Sequence, residues 1–327
     1  MQKRTFDVFF FEAFEEEAEA LRAHLPPHIK AAFTADTVQE WSGTQPDASV
    51  VSIRTQSLIP PIWAEAVDGI LTRSTGYDHV VRYLASIPPP LPAGYLPLYC
   101  NRAVAEQAML LWMALLRRLP TQREQFKQFH RDGITGRECK GKALAVFGVG
   151  NIGYEVARIG KGLGMRVMGV DVVERHRDVD FVPPNTALAE ADVIVCAMNL
   201  TASNAGYFNA GCWEQSKPNA LFINIARGEL SPALDLAEAL NTGRLGGAGL
   251  DVYDNEPELA VALRSGEPSS SVDTCALLAL AQRSNVICTP HNAFNTAESV
   301  ARKSEHSVQQ IDAFLKTGTF LWPVPLD

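Results

Sequence analysis

The stretch Lys142–Asp171 reads KALAVFGVGNIGYEVARIGKGLGMRVMGVD. It begins with a short apolar run, Ala143–Phe147, which lacks polar alternation, as expected of a strand buried on both faces. The motif GVGNIG follows at Gly148–Gly153, and apolar residues then recur at helical spacing. A second apolar run, Arg166–Val170, ends on Asp171. The order of strand, glycine turn, helix, strand and acid predicts a dinucleotide-binding unit.

Each glycine of this motif has a physical reason. Gly148 would make the tight turn, Gly150 would let the backbone approach a pyrophosphate, and Gly153 would let helix and strand pack closely. The N–H groups at the start of the helix, near Asn151 and Ile152, would face the phosphates. The alternative is a glycine-rich turn of another α/β protein that binds no nucleotide, and the complete surrounding pattern argues against it.

Asp171 predicts the form of the dinucleotide. It lies 18 residues after Gly153 and ends the second strand, where a carboxylate can accept hydrogen bonds from a ribose diol. Its charge would repel a 2′-phosphate, so it favours NAD over NADP. Arg175, His176 and Arg177 follow and could soften that preference, although a solvated basic loop is the interpretation we favour.

Composition limits the class of protein. A chain of 327 residues with 46% hydrophobic residues has room for two domains, each with a core. The net charge of −8 argues against a nucleic acid or an anionic membrane as partner. No apolar run approaches the roughly 20 residues needed to span a bilayer. The six cysteines are scattered, without metal-ligand spacing, so we expect reduced thiols, no metal site and a cytoplasmic location.

The rest of the chain alternates between strand and helix patterns. The first hundred residues do so without a nucleotide motif, which predicts a smaller α/β domain. An apolar helix is predicted at Val104–Leu119, and about six strands are predicted for the nucleotide-binding sheet. Ser265–Asp273 is expected to be a surface loop, and Thr296–Thr317 a long helix whose tail returns to the first domain.

Three chemically active residues stand at predicted strand ends in the second half of the chain: Arg227, Glu256 and His291. Ligands of open α/β sheets bind outside the carboxyl ends of the strands. Arg227 could grip a carboxylate with two hydrogen bonds, His291 could give a proton to a carbonyl oxygen, and Glu256 could stabilise the imidazolium. Each residue alone is typical of a solvated position or a turn; their combination downstream of the glycine motif predicts reduction of a 2-keto acid by hydride.

The turn Thr72–His79 offers a second anion site. Its Ser, Thr and Gly residues would expose backbone N–H groups between a strand and a helix. A carboxylate site and an ordinary capped turn are equally compatible with the sequence.

With these segments in view, the chain resembles the D-isomer-specific 2-hydroxyacid dehydrogenase family over nearly all of its length. The motif RSTGYDH is most similar to the corresponding motif of the D-lactate dehydrogenase branch. The matching segments are TRSTGYDHV (Thr72–Val80), NRAVAEQAML (Asn101–Leu110), GVGNIG (Gly148–Gly153), INIARGEL (Ile223–Leu230), GAGLDVYDNEP (Gly247–Pro257) and TPHNAFNT (Thr289–Thr296).

The resemblance implies an architecture. Two Rossmann-like or flavodoxin-like domains with doubly wound parallel sheets would flank a cleft. The substrate domain would be discontinuous, with residues 1–101 and 298–327, and the nucleotide domain would span residues 102–297. The family is usually a homodimer joined through its nucleotide domains, and its cofactor is NAD.

The resemblance also implies roles for individual residues. His291 would be the general acid/base with Glu256 as its partner, and Arg227 would bind the substrate carboxylate and polarise the carbonyl. For the cofactor, Asp171 would bind the adenosine ribose, Asp251 would bind the nicotinamide carboxamide, and Ala226 would also contact the cofactor. For the substrate, the backbone of Thr75 and Gly76 would bind the carboxylate. The substrate side chain would be contacted by Ile53–Thr55, Tyr99 and Trp322.

Some features depart from the family pattern. Gln107 and Asn199 replace a histidine and a proline that are common in the family, and the segment Ser265–Leu280 looks added. That segment could be a lid, a surface loop or an oligomer contact. Two other functions stay open: an NAD-sensing, co-repressor-like binding protein, and an oxidoreductase of the family with an atypical substrate such as formate or phosphite.

Overall fold

The chain forms two parallel β-sheets, each within a separate unit. The computed structural model describes residues 4–88, 90–266 and 269–325. One unit contains the residues up to Cys100 and those from Asn295 onward, and the other is Asn101–Phe294. Both sheets are parallel and carry helices, which confirms the predicted α/β class.

The sheet of the first unit has the strand order β2-β1-β3-β4-β5. This is the flavodoxin-like doubly wound order, in which the chain changes direction between β1 and β3. The strands are β1 (Phe6–Phe10), β2 (Ala31–Phe33), β3 (Ala48–Ile53), β4 (Gly69–Thr72) and β5 (Ala93–Gly94), and the helices are α1 (Glu15–His24), α2 (Asp78–Leu84) and α11 (Ala297–Thr317), with a 3₁₀ turn at Pro61–Glu65.

The long C-terminal helix packs directly on this sheet. A Cβ atom added at Gly69 would lie 2.6 Å from the ring of Phe314, so a glycine is needed where α11 crosses β4. Beyond the helix, the tail runs antiparallel to β5. The Val324 N–H donates to the Ala93 carbonyl at 2.8 Å, and the Tyr95 N–H donates to the Trp322 carbonyl at 3.1 Å.

The sheet of the second unit has the order β12-β11-β10-β9-β6-β7-β8. Its chain direction reverses between β6 and β9, as in a dinucleotide-binding fold. About six strands were predicted; the described residues add β8, which at two residues is too short to show periodicity. The strands are β6 (Ala143–Phe147), β7 (Arg166–Val170), β8 (Asp180–Phe181), β9 (Val193–Cys196), β10 (Ala220–Asn224), β11 (Leu245–Leu250) and β12 (Val286–Cys288).

Two sequence predictions for the helices of this unit are wrong in part. The apolar helix α3 (Asn101–Leu116) ends before the predicted Leu119, because Arg118 takes a left-handed conformation with φ of +53° and α4 (Leu119–Phe126) begins there. The expected surface loop at Ser265–Asp273 is found at Gly266 and Ser269–Ser271, but its first residue ends α9 (Glu256–Ser265) and its last two residues begin α10 (Val272–Ala281); residues 267–268 lie outside the described ranges. The remaining helices are α5 (Asn151–Gly162), α6 (Pro184–Glu190), α7 (Ala210–Gln215), α8 (Ala233–Asn241) and α9 (Glu256–Ser265), with a 3₁₀ turn at Gly228–Leu230.

The register of the sheet aligns its carboxyl ends. Phe147 is paired with Val170 on one side and Cys196 on the other, Asn224 is paired with Cys196 and Leu250, and Leu250 is paired with Cys288. The segments that follow these strands therefore leave the sheet along one edge, where ligands of such folds bind. In the described parts of the chain, no helix has the length and apolar character that a membrane crossing requires.

Candidate active site

The glycine turn has the geometry that its sequence predicts. Gly148 has a φ of +86°, a region that residues with a side chain avoid. A Cβ atom at Gly153 would lie 1.9 Å from the Gly148 carbonyl oxygen, so α5 could not approach the turn with a larger residue. A Cβ atom at Gly150 would meet no atom within 4 Å. Space is therefore open above the start of α5, where the N–H groups near Asn151 and Ile152 can receive a pyrophosphate.

Asp171 is held beside this turn. Its Oδ2 atom accepts a hydrogen bond from the Val149 N–H at 2.6 Å, and its Oδ1 atom accepts one from the Val173 N–H at 3.0 Å. Each carboxylate oxygen has further lone pairs, so ribose hydroxyls can also bind. The position of the Asp171 carboxylate therefore fits NAD, the dinucleotide that the sequence predicts.

The basic segment after Asp171 is ordered around one contact. The His176 ring stacks on the Tyr154 ring of α5, with centroids 3.8 Å apart and planes 7° from parallel. Arg175 and Arg177 are exposed on either side of it. The interpretation of a solvated loop therefore describes the two arginines and not His176.

Glu256 and His291 are brought together. The His291 Nδ1 atom lies 2.8 Å from the Glu256 Oε2 atom, and about a third of each side chain is exposed. The other carboxylate oxygen of Glu256 accepts the Tyr253 N–H at 3.2 Å. The carboxylate thus orients the imidazole through Nδ1 and leaves Nε2 available for a ligand.

The backbone at His291 is strained. Its φ is +49°, which L-residues rarely adopt and which costs about 1–2 kcal/mol. The His291 N–H donates to the Thr289 carbonyl at 2.9 Å, which closes a tight turn directly after β12. Such outliers persist where the surrounding structure fixes them, and they cluster at functional sites.

Asp251 fixes that turn. It is 1% exposed. Its Oδ1 atom accepts the Thr289 hydroxyl at 2.5 Å and the Asn292 N–H at 3.0 Å, and its Oδ2 atom accepts the Ala293 N–H at 2.8 Å. Burial raises the pKa of Asp251, and these hydrogen bonds oppose the rise. The carboxylate therefore binds the residues on both sides of His291.

Two residues to which the sequence assigned no role in the site extend this support. The Gln107 side chain of α3 donates to the Thr289 hydroxyl at 3.3 Å, so the departure at Gln107 contacts the histidine turn. The Tyr253 hydroxyl lies 3.0 Å from the Leu250 carbonyl oxygen and 2.9 Å from that of Thr289. Burial raises the pKa of Tyr253, so its hydroxyl stays protonated and can donate.

Arg227 follows β10 in a turn that Asn224 organises. The buried Asn224 side chain donates to the Arg227 carbonyl at 2.9 Å and accepts the Ala226 N–H at 3.0 Å. A Cβ atom at Gly228 would lie 1.8 Å from the Tyr253 carbonyl carbon, so this turn packs against the segment that leads to Glu256. The only sequence signal for Asn224 was a polar residue within an apolar strand.

The predicted substrate residues Thr75, Gly76 and Tyr99 belong to the first unit. The Ser74 hydroxyl donates to the Gly76 carbonyl at 2.6 Å, and the Thr75 hydroxyl donates to the Leu96 carbonyl at 3.0 Å. Tyr99 is buried, and burial raises its pKa. The turn after β4 is thus fixed by its own side chains, as an ordinary capped turn would also be.

Comparison with known proteins decides the family. The sequence model described as "D-isomer specific 2-hydroxyacid dehydrogenase, NAD binding domain" matches residues 109–293, more than half of the chain. The chain belongs to the D-isomer-specific 2-hydroxyacid dehydrogenase family. It is an NAD-dependent 2-hydroxyacid dehydrogenase, and the predicted family, enzyme class and cofactor are confirmed.

Individual relatives extend over most or all of this enzyme. A D-lactate dehydrogenase of Streptococcus agalactiae is 30% identical over 98% of both chains, and one of Escherichia coli is 33% identical over 68% of this chain and 69% of its own. The structure of D-lactate dehydrogenase from Aquifex aeolicus, complexed with NAD and lactic acid, has a TM-score of 0.82 at 26% identity and covers 96% of this chain and 99% of its own. A D-2-hydroxyisocaproate dehydrogenase (TM-score 0.83, 21% identity, 97% and 99% covered) shares the fold.

Proposed function

We propose that the enzyme interconverts a small 2-keto acid and a D-2-hydroxy acid, with His291 as general acid and base. The observation that carries this proposal is the 2.8 Å contact between Glu256 and His291 at the edge of the NAD-binding sheet. A histidine oriented by a carboxylate is suited to proton transfer near neutral pH.

In the reducing direction, NADH bound at the glycine turn and Asp171 would supply a hydride for the keto carbon. The residues of this chain handle the proton and the charges. His291 gives its Nε2 proton to the carbonyl oxygen as that oxygen gains charge, and it becomes neutral. Glu256, which accepts a hydrogen bond from Nδ1–H throughout, stabilises the imidazolium before the transfer and holds the ring plane. In the oxidising direction His291 takes the same proton back.

Arg227 is proposed to bind the substrate carboxylate and to polarise the carbonyl. A guanidinium suits this task because its planar donors match two carboxylate oxygens. The backbone of Thr75 and Gly76 would supply further N–H donors, and Tyr99 would contact the substrate. Support comes from the turn at Asn224, which fixes the backbone of Arg227.

The cofactor roles are proposed on the same footing. Asp171 would bind the adenosine ribose, Gly148, Gly150, Asn151, Ile152 and Gly153 the pyrophosphate, and Ala226 the cofactor. Asp251, proposed from the family resemblance to contact the nicotinamide carboxamide, would also keep His291 in place through Thr289, Asn292 and Ala293.

The assembly and location are proposed from the family and the composition. The homodimer is proposed from the family alone, whereas the cytoplasmic location fits the six free cysteines. Sedimentation of the purified enzyme with and without NADH measures the assembly, and a single monomeric species would refute the dimer.

The decisive experiment for the function is loss of NADH absorbance on a panel of 2-keto acids, from glyoxylate and pyruvate to branched, aromatic and dicarboxylic members, with NADPH in parallel. Turnover of any member, with a product of D configuration, is the expected result. If NADH binds but no member reacts, the proposal is wrong, and an NAD-sensing protein or an enzyme for an atypical substrate such as formate or phosphite takes its place.

A further inference from the structure

Arg54 occupies a position in the first unit where ligands of this fold type bind. It follows β3 directly, and β3 and β1 are the neighbouring strands between which the chain changes direction. The crevice at the carboxyl ends of such a strand pair is the usual ligand site of a flavodoxin-like sheet. The Arg54 guanidinium lies over the ring of Phe14, which follows β1, at 5.5 Å from the ring centre.

Arg54 is the outermost cation of a charged group that we name the Glu17 cluster: Glu17, Arg54, Arg73 and Lys303. Glu17 is buried, and its Oε1 atom lies 2.7 Å from Arg73 Nε. Its Oε2 atom lies 2.9 Å from Lys303 Nζ and 3.9 Å from Arg54 Nη1. The carboxylate thus holds two cations closely and the third only at the limit of an ion pair.

Arg73 and Lys303 are buried within the unit, whereas Arg54 is partly exposed. Arg73 and Lys303 are 1% and 2% exposed, whereas the Arg54 side chain is 22% exposed. Arg73 also donates to the carbonyl oxygens of Phe11 and Ser52, so it cannot turn toward a ligand. Only Arg54 among these cations can reach a molecule in the crevice.

The cluster gives the crevice a positive field. Three cations and one carboxylate carry a formal charge of +2 among them, and the buried carboxylate of Glu12, which accepts the Arg54 backbone N–H at 2.9 Å, reduces the local formal charge to +1. Burial lowers the pKa of Lys303 to about 8, so this lysine is still charged at pH 7. The charge of Arg54 also acts on the phenol of Tyr99, a proposed substrate residue, against the effect of burial on its pKa.

We propose that Arg54 binds an anionic group on the side chain of the substrate, so that the enzyme prefers 2-keto acids with a second carboxylate. This inference rests on the proposed function. The first carboxylate has its own proposed donors in Arg227 and the backbone at Thr75 and Gly76, so a second carboxylate needs another cation, and Arg54 is the exposed cation of the cluster. A guanidinium–carboxylate pair is a strong and geometrically selective contact.

The test compares substrates of equal shape and different charge. Oxaloacetate and 4-methyl-2-oxopentanoate differ by a carboxylate in place of an isopropyl group, and 2-oxoglutarate and 5-methyl-2-oxohexanoate form a second such pair. We expect kcat/KM with NADH to favour the dicarboxylate of one pair by about 10- to 100-fold. Arg54→Met should remove this preference, so that the ratio of kcat/KM within the pair falls by about 10- to 100-fold, while Glu17 still keeps Arg73 and Lys303 as close partners.

Two variants complete the experiment. Arg54→Lys should keep part of the preference, since it retains a charge without the planar donors. Arg22→Gln removes an exposed arginine of α1 and should leave the preference unchanged. An equal loss for charged and neutral acids in Arg54→Met, or a wild-type preference for the neutral acids, overturns the inference and leaves the proposed function standing. Absence of turnover on every 2-keto acid overturns both.

Discussion

Glu17→Gln removes the negative charge from the Glu17 cluster and keeps the shape of the side chain. In the folded enzyme the carboxylate lies within 3 Å of both Arg73 and Lys303. Glutamine offers one acceptor oxygen and one N–H₂ group, so one of these buried cations would face a donor. Removing one partner of a buried ion pair typically costs about 3–5 kcal/mol, because the other partner stays buried and charged.

The titration of Glu17 gives an independent magnitude. Burial alone would raise its pKa, but the charges of Arg73, Lys303 and Arg54 outweigh burial and lower the pKa from 4.5 to about 2. A shift of this size corresponds to about 3 kcal/mol of stabilisation at neutral pH. Because the folded pKa is the lower one, the stabilisation is complete above pH 4.5 and is lost as the pH falls from 4.5 toward 2.

Urea unfolding at several pH values measures this effect. At pH 7 we expect Glu17→Gln to unfold about 3 kcal/mol more easily than the wild type, and the exposed control Glu19→Gln to stay within about 0.5 kcal/mol. The difference in unfolding free energy between the wild type and Glu17→Gln should narrow by about 1 kcal/mol between pH 7 and pH 3.5. At pH 3.5 the Glu17 carboxyl is largely protonated in the unfolded chain, whereas it stays ionised in the folded enzyme. A gap below 1 kcal/mol at pH 7, or one that does not change with pH, would refute the assigned role of the cluster.

Three further substitutions test the cofactor site. Gly150→Ala should keep the melting temperature within about 2 °C and weaken NADH binding at least tenfold, because the methyl group enters space that is open in the fold and proposed for the pyrophosphate; calorimetry and NADH titration check both. Gly153→Ala should instead destabilise the fold by several kcal/mol, since its Cβ atom would lie 1.9 Å from a backbone oxygen, and an unchanged urea midpoint would contradict this. Asp171→Ala should raise the ratio of kcat/KM for NADPH over NADH by about tenfold or more, and a constant ratio would remove Asp171 from cofactor selection.

The sequence alone correctly predicted the elements that a local pattern of apolar residues and turn residues determines. The two strands that flank the glycine motif, Ala143–Phe147 and Arg166–Val170, have the predicted bounds. Periodicity and turn residues determine such elements, because each apolar run is long enough to show its burial. Strands of two or three residues, such as β5 and β8, carry no readable period, and α10 was missed because polar residues precede its apolar face.

The supporting contacts of the site lay beyond the sequence because they join distant segments. Asp251 was assigned to the cofactor by resemblance, but its hydrogen bonds to the turn around His291 span about forty residues of chain. Likewise, a helix was predicted around Lys303, but periodicity could not show that this lysine is buried against Glu17. Pairings of this kind arise from the packing of whole elements, and a single sequence does not specify them.

The central claim is that His291 exchanges the proton in the reaction while Glu256 orients it. The most direct measurement is the single-turnover rate of NADH oxidation by His291→Asn with a 2-keto acid that the wild type reduces. Asparagine tolerates the left-handed backbone of this position, so the turn should persist. We predict a rate about 10²–10⁴ lower with an unchanged dissociation constant for NADH. A rate within tenfold of the wild type, or a loss of rate that follows a loss of NADH binding, would contradict the claim.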